Sequence, residues 1–129
     1  MSEKQKIRVG ITHGDINGVG YEVILKALED ERMPEICTPV IYGSAKIAGY
    51  YRKGALATPL QLNQISKASE ARDGQYNIIN VIGEDVKVEP GIASAEAGQA
   101  AFAALECAVT DLRSGDIDVL VTAPIDKHE

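Results

Sequence analysis

The chain has only two cysteines in 129 residues, Cys37 and Cys107, and neither has a second cysteine or a histidine nearby at metal-ligand spacing. A disulfide framework or a zinc site is therefore poorly supported, and both thiols are expected to be free and mostly buried. No apolar run approaches the ~20 residues that cross a bilayer, and the opening Met-Ser-Glu-Lys-Gln-Lys has no apolar signal core, so the expectation is a cytoplasmic protein with no membrane partner. Positive charge is scarce as well, with 13 Lys and Arg against 19 Asp and Glu and a formal net charge of −6. Nucleic acid and anionic membranes demand clustered cations, so neither is an expected partner. An anionic small molecule would need local help. The chain also lacks internal repeats, linkers and low-complexity tracts, and residues 1–129 are read as one unit without an internal boundary.

What is present is ordinary for a globular domain, with 45% apolar and 25% charged residues. Ile7-Arg8-Val9-Gly10-Ile11-Thr12 alternates like a strand, and Val23, Ile24, Ala27 and Leu28 recur at helical spacing. Residues 30–34 read as the exit of that helix. Residues 39–43 form a second predicted strand, after which Ser44 can cap a helix over residues 45–51. A third strand is predicted over residues 60–65, a polar surface turn over 67–75, and a fourth strand over 76–82.

Glu89-Pro90-Gly91 then turns the chain into its longest element, a helix over residues 93–114. Its predicted inward set is Ala101, Phe102, Leu105, Ala108, Val109 and Leu112; Glu96, Gln99, Glu106, Thr110 and Arg113 face out. Arg113 suits the negative end of the helix and Gly115 can terminate it. The last predicted strand, residues 117–122, is nearly all apolar. Strands alternating with helices predict an α/β fold with a mostly parallel sheet, in which the strands at 7–12 and 117–122 are both central and buried.

Between the first strand and helix lies Gly14-Asp15-Ile16-Asn17-Gly18-Val19-Gly20. Its spacing, GxxxGxG, is not the dinucleotide fingerprint GxGxxG, and no Lys and Ser/Thr follow to make a P-loop. Helix-start amides could hold a polar group, but Asp15 and Glu22 disfavour a bare phosphate, and a purely structural turn fits the same residues. His13 fits a hydrogen-bonding or packing role better than proton transfer, and Asp15 a cap better than a ligand contact. At the other end, Asp126 and Lys127 follow a strand, where open α/β sheets bind ligands; Lys127 reads either as the missing local cation or as a solvated lysine.

Taken together, Ile11-Thr12-His13-Gly14-Asp15-Ile16-Asn17-Gly18-Val19-Gly20-Tyr21-Glu22 and Val121-Thr122-Ala123-Pro124-Ile125-Asp126-Lys127 resemble the 4-hydroxythreonine-4-phosphate dehydrogenase family of pyridoxal phosphate biosynthesis. The family's usual opening is T-x-G-D-P-x-G-I-G-P-E, and Ile16 and Tyr21 stand here where prolines are usual. The resemblance implies the amino-terminal portion of a longer two-domain enzyme, with a three-layer α/β/α fold like isocitrate and isopropylmalate dehydrogenases. It further implies a homodimer, NAD as hydride acceptor, a divalent metal, and oxidative decarboxylation of a small phosphorylated hydroxy-amino acid. Gly14, Asp15, Gly18 and Gly20 would form a cleft-facing loop, and Thr122, Asp126 and Lys127 a strand-end cluster near substrate or cofactor. No residue of this chain is assigned as a catalyst or metal ligand, because the family's metal-binding histidines lie beyond Glu129. The 129-residue chain alone is expected to be inactive. Two alternatives remain: a dehydrogenase of threonate or erythronate 4-phosphate, and a non-catalytic α/β module whose alanine-rich helix serves association.

Overall fold

A computed structural model describes residues 6–13, 24, 26, 33–49, 62–81 and 95–122. Five strands, β1 (Ile7–Thr12), β2 (Cys37–Gly43), β3 (Leu62–Ile65), β4 (Tyr76–Asn80) and β5 (Val119–Thr122), form one sheet in the order β3-β4-β2-β1-β5. Every pairing is parallel. Helical segments separate them: α1 (Met33–Ile36), α2 (residues 45–49) and α3 (Ala95–Ser114), with a short 3-10 turn at Ala68–Glu70. The α/β reading of the sequence is borne out.

Strand β2 sits in the middle, and all seven of its residues are buried, as a strand covered on both faces must be. Its alternate side chains Val40 and Tyr42 join Ile79, Ala104, Ala108 and Ile117 in one core against α3. On the opposite face Ile41 and Ile78 are equally buried, and so are the helical residues Ile24, Ile47 and Ala48. Ser44 caps α2 as expected, its Oγ accepting the Ile47 N–H at 3.3 Å. Asn80 adds a second cap from β4, its Oδ1 accepting the Ala45 N–H at 2.8 Å. Helix α3 ends as predicted at Gly115, whose φ of 86° suits glycine. There Gly115 N–H bonds Leu112 O and Asp116 N–H bonds Asp111 O, closing the last turn.

Several expectations need correction. Strand β5 is an edge strand, not a central one, and its pattern is exposed at Val119, Val121 and Thr122; within the predicted segment only Ile117, ahead of the strand, is fully buried. β1 lies inside the sheet, yet is buried only over its second half. On α3 the buried face runs through Ala100, Ala101, Ala104 and Ala108, while Phe102 (62% exposed) and Leu112 face outward. Alanine wins that face because α3 crosses close above the sheet, where a phenyl ring has no room. Met33 and Pro34, read as an exit, belong to α1, where a first-turn proline forfeits no helical bond. Strands β3 and β4 fall within their predicted spans. The turn between them buries Ala68 and is tied together by Asn77, which bonds Arg72, Asn63 and the carbonyls of Pro39 and Gln75.

Gly10 marks the closest approach in this core. A Cβ built there would lie 2.5 Å from Ile117 Cδ1 and 3.1 Å from Tyr42 Cε1. Gly10→Ala is therefore expected to force Ile117 off its rotamer and to cost about 1–3 kcal/mol, read as a lowered denaturant midpoint at unchanged slope.

Candidate functional site

The carboxyl ends of the strands carry the chemistry in an open α/β sheet. Here the end of β1 lies between two others: Thr12 is in register with Tyr42 of β2 on one side and with Thr122 of β5 on the other. Thr12 is buried, and its Oγ1 is the one buried side-chain polar atom among the described residues with no hydrogen-bond partner. In the sequence it directly precedes His13 and the glycine-rich residues 14–20. Thr122, by contrast, is exposed.

His13 does not face a cleft. It is fully buried, its backbone N–H bonds Tyr42 O at 3.2 Å, and its Nε2 lies 2.9 Å from the carbonyl oxygen of Ala100 in α3. A carbonyl only accepts, so Nε2 carries the proton of this contact. Burial lowers the His13 pKa below its ordinary value of 6.5, against the opposing pull of the Ala100 carbonyl, and favours the neutral ring. The packing role expected from the sequence is the observed one: His13 pins the end of β1 to α3.

A second polar latch lies beside it. Tyr42 Oη donates to Asp111 Oδ2 at 2.6 Å, and burial followed by this carboxylate pushes the phenol pKa far above its usual range. The same environment holds the Cys107 thiol up, by burial first and then by the Asp111 charge. Cys37 is buried and Cys107 half-buried, and neither is part of a disulfide. No local signal in the sequence pairs Tyr42 with Asp111, because the partners are 69 residues apart.

Of the residues assigned to the site from sequence, Thr122 alone is among the described ones; Gly14, Asp15, Gly18, Gly20, Asp126 and Lys127 lie outside them. No group of three or more His, Cys, Asp or Glu among the described residues could hold a metal ion. These residues therefore do not fit a metal centre. A cavity of about 450 Å³ lined by Lys6, Ile7, Arg8, Gly115 and Asp118 opens at the amino ends of β1 and β5, away from the carboxyl edge that holds Thr12. Arg8 and Asp118 close it with backbone and side-chain bonds of 2.9 Å.

A parallel sheet with helical cover, in which β1 and β5 end side by side at Thr12 and Thr122, defines the chain as an α/β protein of the open-sheet class. The particular family follows from comparison: residues 35–129 match the model of the pyridoxal phosphate biosynthetic protein PdxA, and the chain belongs to that family. It is 53% identical over 126 residues to a 4-hydroxythreonine-4-phosphate dehydrogenase of Bacteroides thetaiotaomicron, covering 98% of this chain and 34% of that protein. A D-threonate 4-phosphate dehydrogenase of Cupriavidus necator is 37% identical, over 93% of this chain and 36% of its own length. The crystal structure of a 4-hydroxythreonine-4-phosphate dehydrogenase from Burkholderia phymatum superposes with a TM-score of 0.83 at 34% identity, covering 97% of this chain and 38% of that one. The chain thus spans about a third of the length of the curated relatives it matches. The fold of these neighbours is the one shared by isocitrate and isopropylmalate dehydrogenases, as the sequence resemblance implied.

The His13 environment yields a pH dependence. Its folded pKa lies below the unfolded value, so the unfolded chain binds the extra proton; stability is fully present above about pH 6.5 and falls as pH drops from there toward the folded pKa. His13→Gln, which keeps a donor for Ala100 but does not titrate, is expected to flatten that loss between about pH 7 and 5, read by thermal melting.

Proposed function

We propose that the full-length protein is an NAD-dependent, metal-dependent dehydrogenase that oxidatively decarboxylates 4-phosphooxy-threonine in pyridoxal phosphate biosynthesis, and that this chain forms its amino-terminal portion. The observation that carries the reading is the pairing of family membership with 53% identity to a protein of that activity across nearly the whole chain. The second reading is a D-threonate 4-phosphate dehydrogenase, since the Cupriavidus necator protein of that name is 37% identical and also acts on a phosphorylated hydroxy acid. NAD takes the hydride in this reading, and the metal's ligands belong to residues beyond Glu129. The protein works as a homodimer in the cytoplasm; among the described residues no helix is long and apolar enough to cross a membrane.

Within this reading the chain's own part is positioning. Gly14, Asp15, Gly18 and Gly20 line the cleft after β1, where small residues let a ligand approach the backbone. Thr122, Asp126 and Lys127 continue from β5, and the register that sets Thr12 beside Thr122 supports bringing the two groups to one edge. Lys127 supplies local positive charge in an acidic chain, for a phosphate or carboxylate of the substrate. The unpaired Thr12 hydroxyl at the same edge fits a site region, where buried polar groups are left unsatisfied more often than in a core.

The full-length protein, supplied with NAD and a divalent metal, should reduce NAD with 4-phosphooxy-threonine at a higher kcat/KM than with D-threonate 4-phosphate; the reverse order would select the second reading. Lys127→Ala should lower kcat/KM by about 1.5–3 kcal/mol of transition-state binding while leaving thermal stability nearly unchanged. An unchanged kcat/KM would assign Lys127 to the solvated surface.

A further inference from the structure

The end of β1 is tied to the helix layer by a side chain. His13 follows the strand's last residue and is fully buried, and its backbone N–H continues the ladder to Tyr42 O at 3.2 Å. The ring leaves the sheet and places Nε2 2.9 Å from the carbonyl oxygen of Ala100, near the start of α3 and 87 positions away. Thr12, just before it, is equally buried, but its hydroxyl has no partner, so of these two side chains the imidazole alone joins strand to helix. A bond of this kind resists breaking, because in a dry setting its loss leaves a donor unsatisfied. The sequence then enters residues 14–20, of which three are glycines. Glycine restricts the backbone least, so a segment of this composition takes its placement from the points where its ends are fixed.

We propose that His13 is a positioning residue: through its bond to Ala100 it fixes the point from which residues 14–20 leave the sheet, and so sets the affinity of the cleft for its ligands. This rests on the reading that Gly14, Asp15, Gly18 and Gly20 line that cleft. The ring has no exposed surface and touches no ligand, so its influence passes through the backbone that follows it. A tie made before ligand binds is the same in the ground state and in the transition state, and its loss therefore falls on KM and not on kcat. The Tyr42–Asp111 bond provides an internal comparison, since it holds the same helix near its other end, away from the carboxyl edge of β1.

The test uses the full-length protein with His13→Leu and His13→Met, two side chains of similar bulk without a donor, and His13→Gln, which keeps one. The Leu and Met variants should raise KM for NAD or for 4-phosphooxy-threonine ~5-fold or more with kcat within ~2-fold of wild type, and His13→Gln should restore most of the affinity. Tyr42→Phe should lower the melting temperature while leaving both KM values unchanged. Unchanged KM values in the donor-free variants, no rescue by His13→Gln, or an equal rise in Tyr42→Phe would each overturn the proposal. Hydrogen exchange supplies a readout that needs no turnover: the amides of residues 13–20 should exchange ~10-fold faster in the donor-free variants than in wild type or His13→Gln, with Ile78 and Ile79 of β4 unchanged. Equal exchange at residues 13–20 would overturn the proposal in an active or an inactive enzyme. Faster exchange in a protein that fails to reduce NAD would support the tie while counting against the proposed reaction.

Discussion

The hydrogen bond from Tyr42 to Asp111 is the contact on which the α3 side of the molecule turns. A tyrosine in the middle of a buried strand must find a partner for its hydroxyl, and the only economical place is the end of the ring's reach, on the helix above. Asp111 meets that need near the last turn of α3, and the same residue's carbonyl accepts the N–H of Asp116 as the helix closes. The position of the ring in turn requires that β1 offer no side chain beside it, which Gly10 satisfies. At the other end of the helix His13 performs the matching task on Ala100. Two polar latches, one near each end of the sheet-facing stretch, set α3 at a fixed height, and the alanines between them are the residues small enough for that height.

This explains what could be read from the chain and what could not. The strand and helix alternation, the Ser44 cap and the Gly115 stop were legible because each depends on neighbours within a few residues. Hydrophobicity points Phe102 and Leu112 inward on α3, yet both face out, because closeness to the sheet favours small size over apolarity. Edge or centre for β5 was beyond local reading, since strand order is set by partners over a hundred residues apart. The candidate site was legible only as a motif: its glycines and its Asp126-Lys127 pair lie outside the described residues, and Thr122 alone is placed. Thr12, whose unpaired hydroxyl is a structural signal, has no sequence signature that separates it from any strand-ending threonine.

The two ends of the sheet have different characters. At the amino edge, Arg8 and Asp118 exchange backbone and side-chain bonds, so that the cavity there is bounded by groups already satisfied. The carboxyl edge instead holds an unpaired hydroxyl and the starts of both family motifs. Family membership points to the same edge, because both motifs that carry the resemblance leave the sheet there.

The sheet order also governs how the chain can assemble as it is made. β1 emerges from the ribosome before either of its neighbours: β2 follows within about thirty residues, whereas β5 is bonded to it through Arg8 and Asp118 across 110 positions. At ordinary rates of synthesis that interval lasts about 5–20 s. For all that time one flank of β1 has no mate, and a nascent chain with a bare strand flank is what chaperones exist to shield. Translation speed through residues 13–118 is thus part of the folding problem that this topology sets, and slowing it lengthens the exposure of β1.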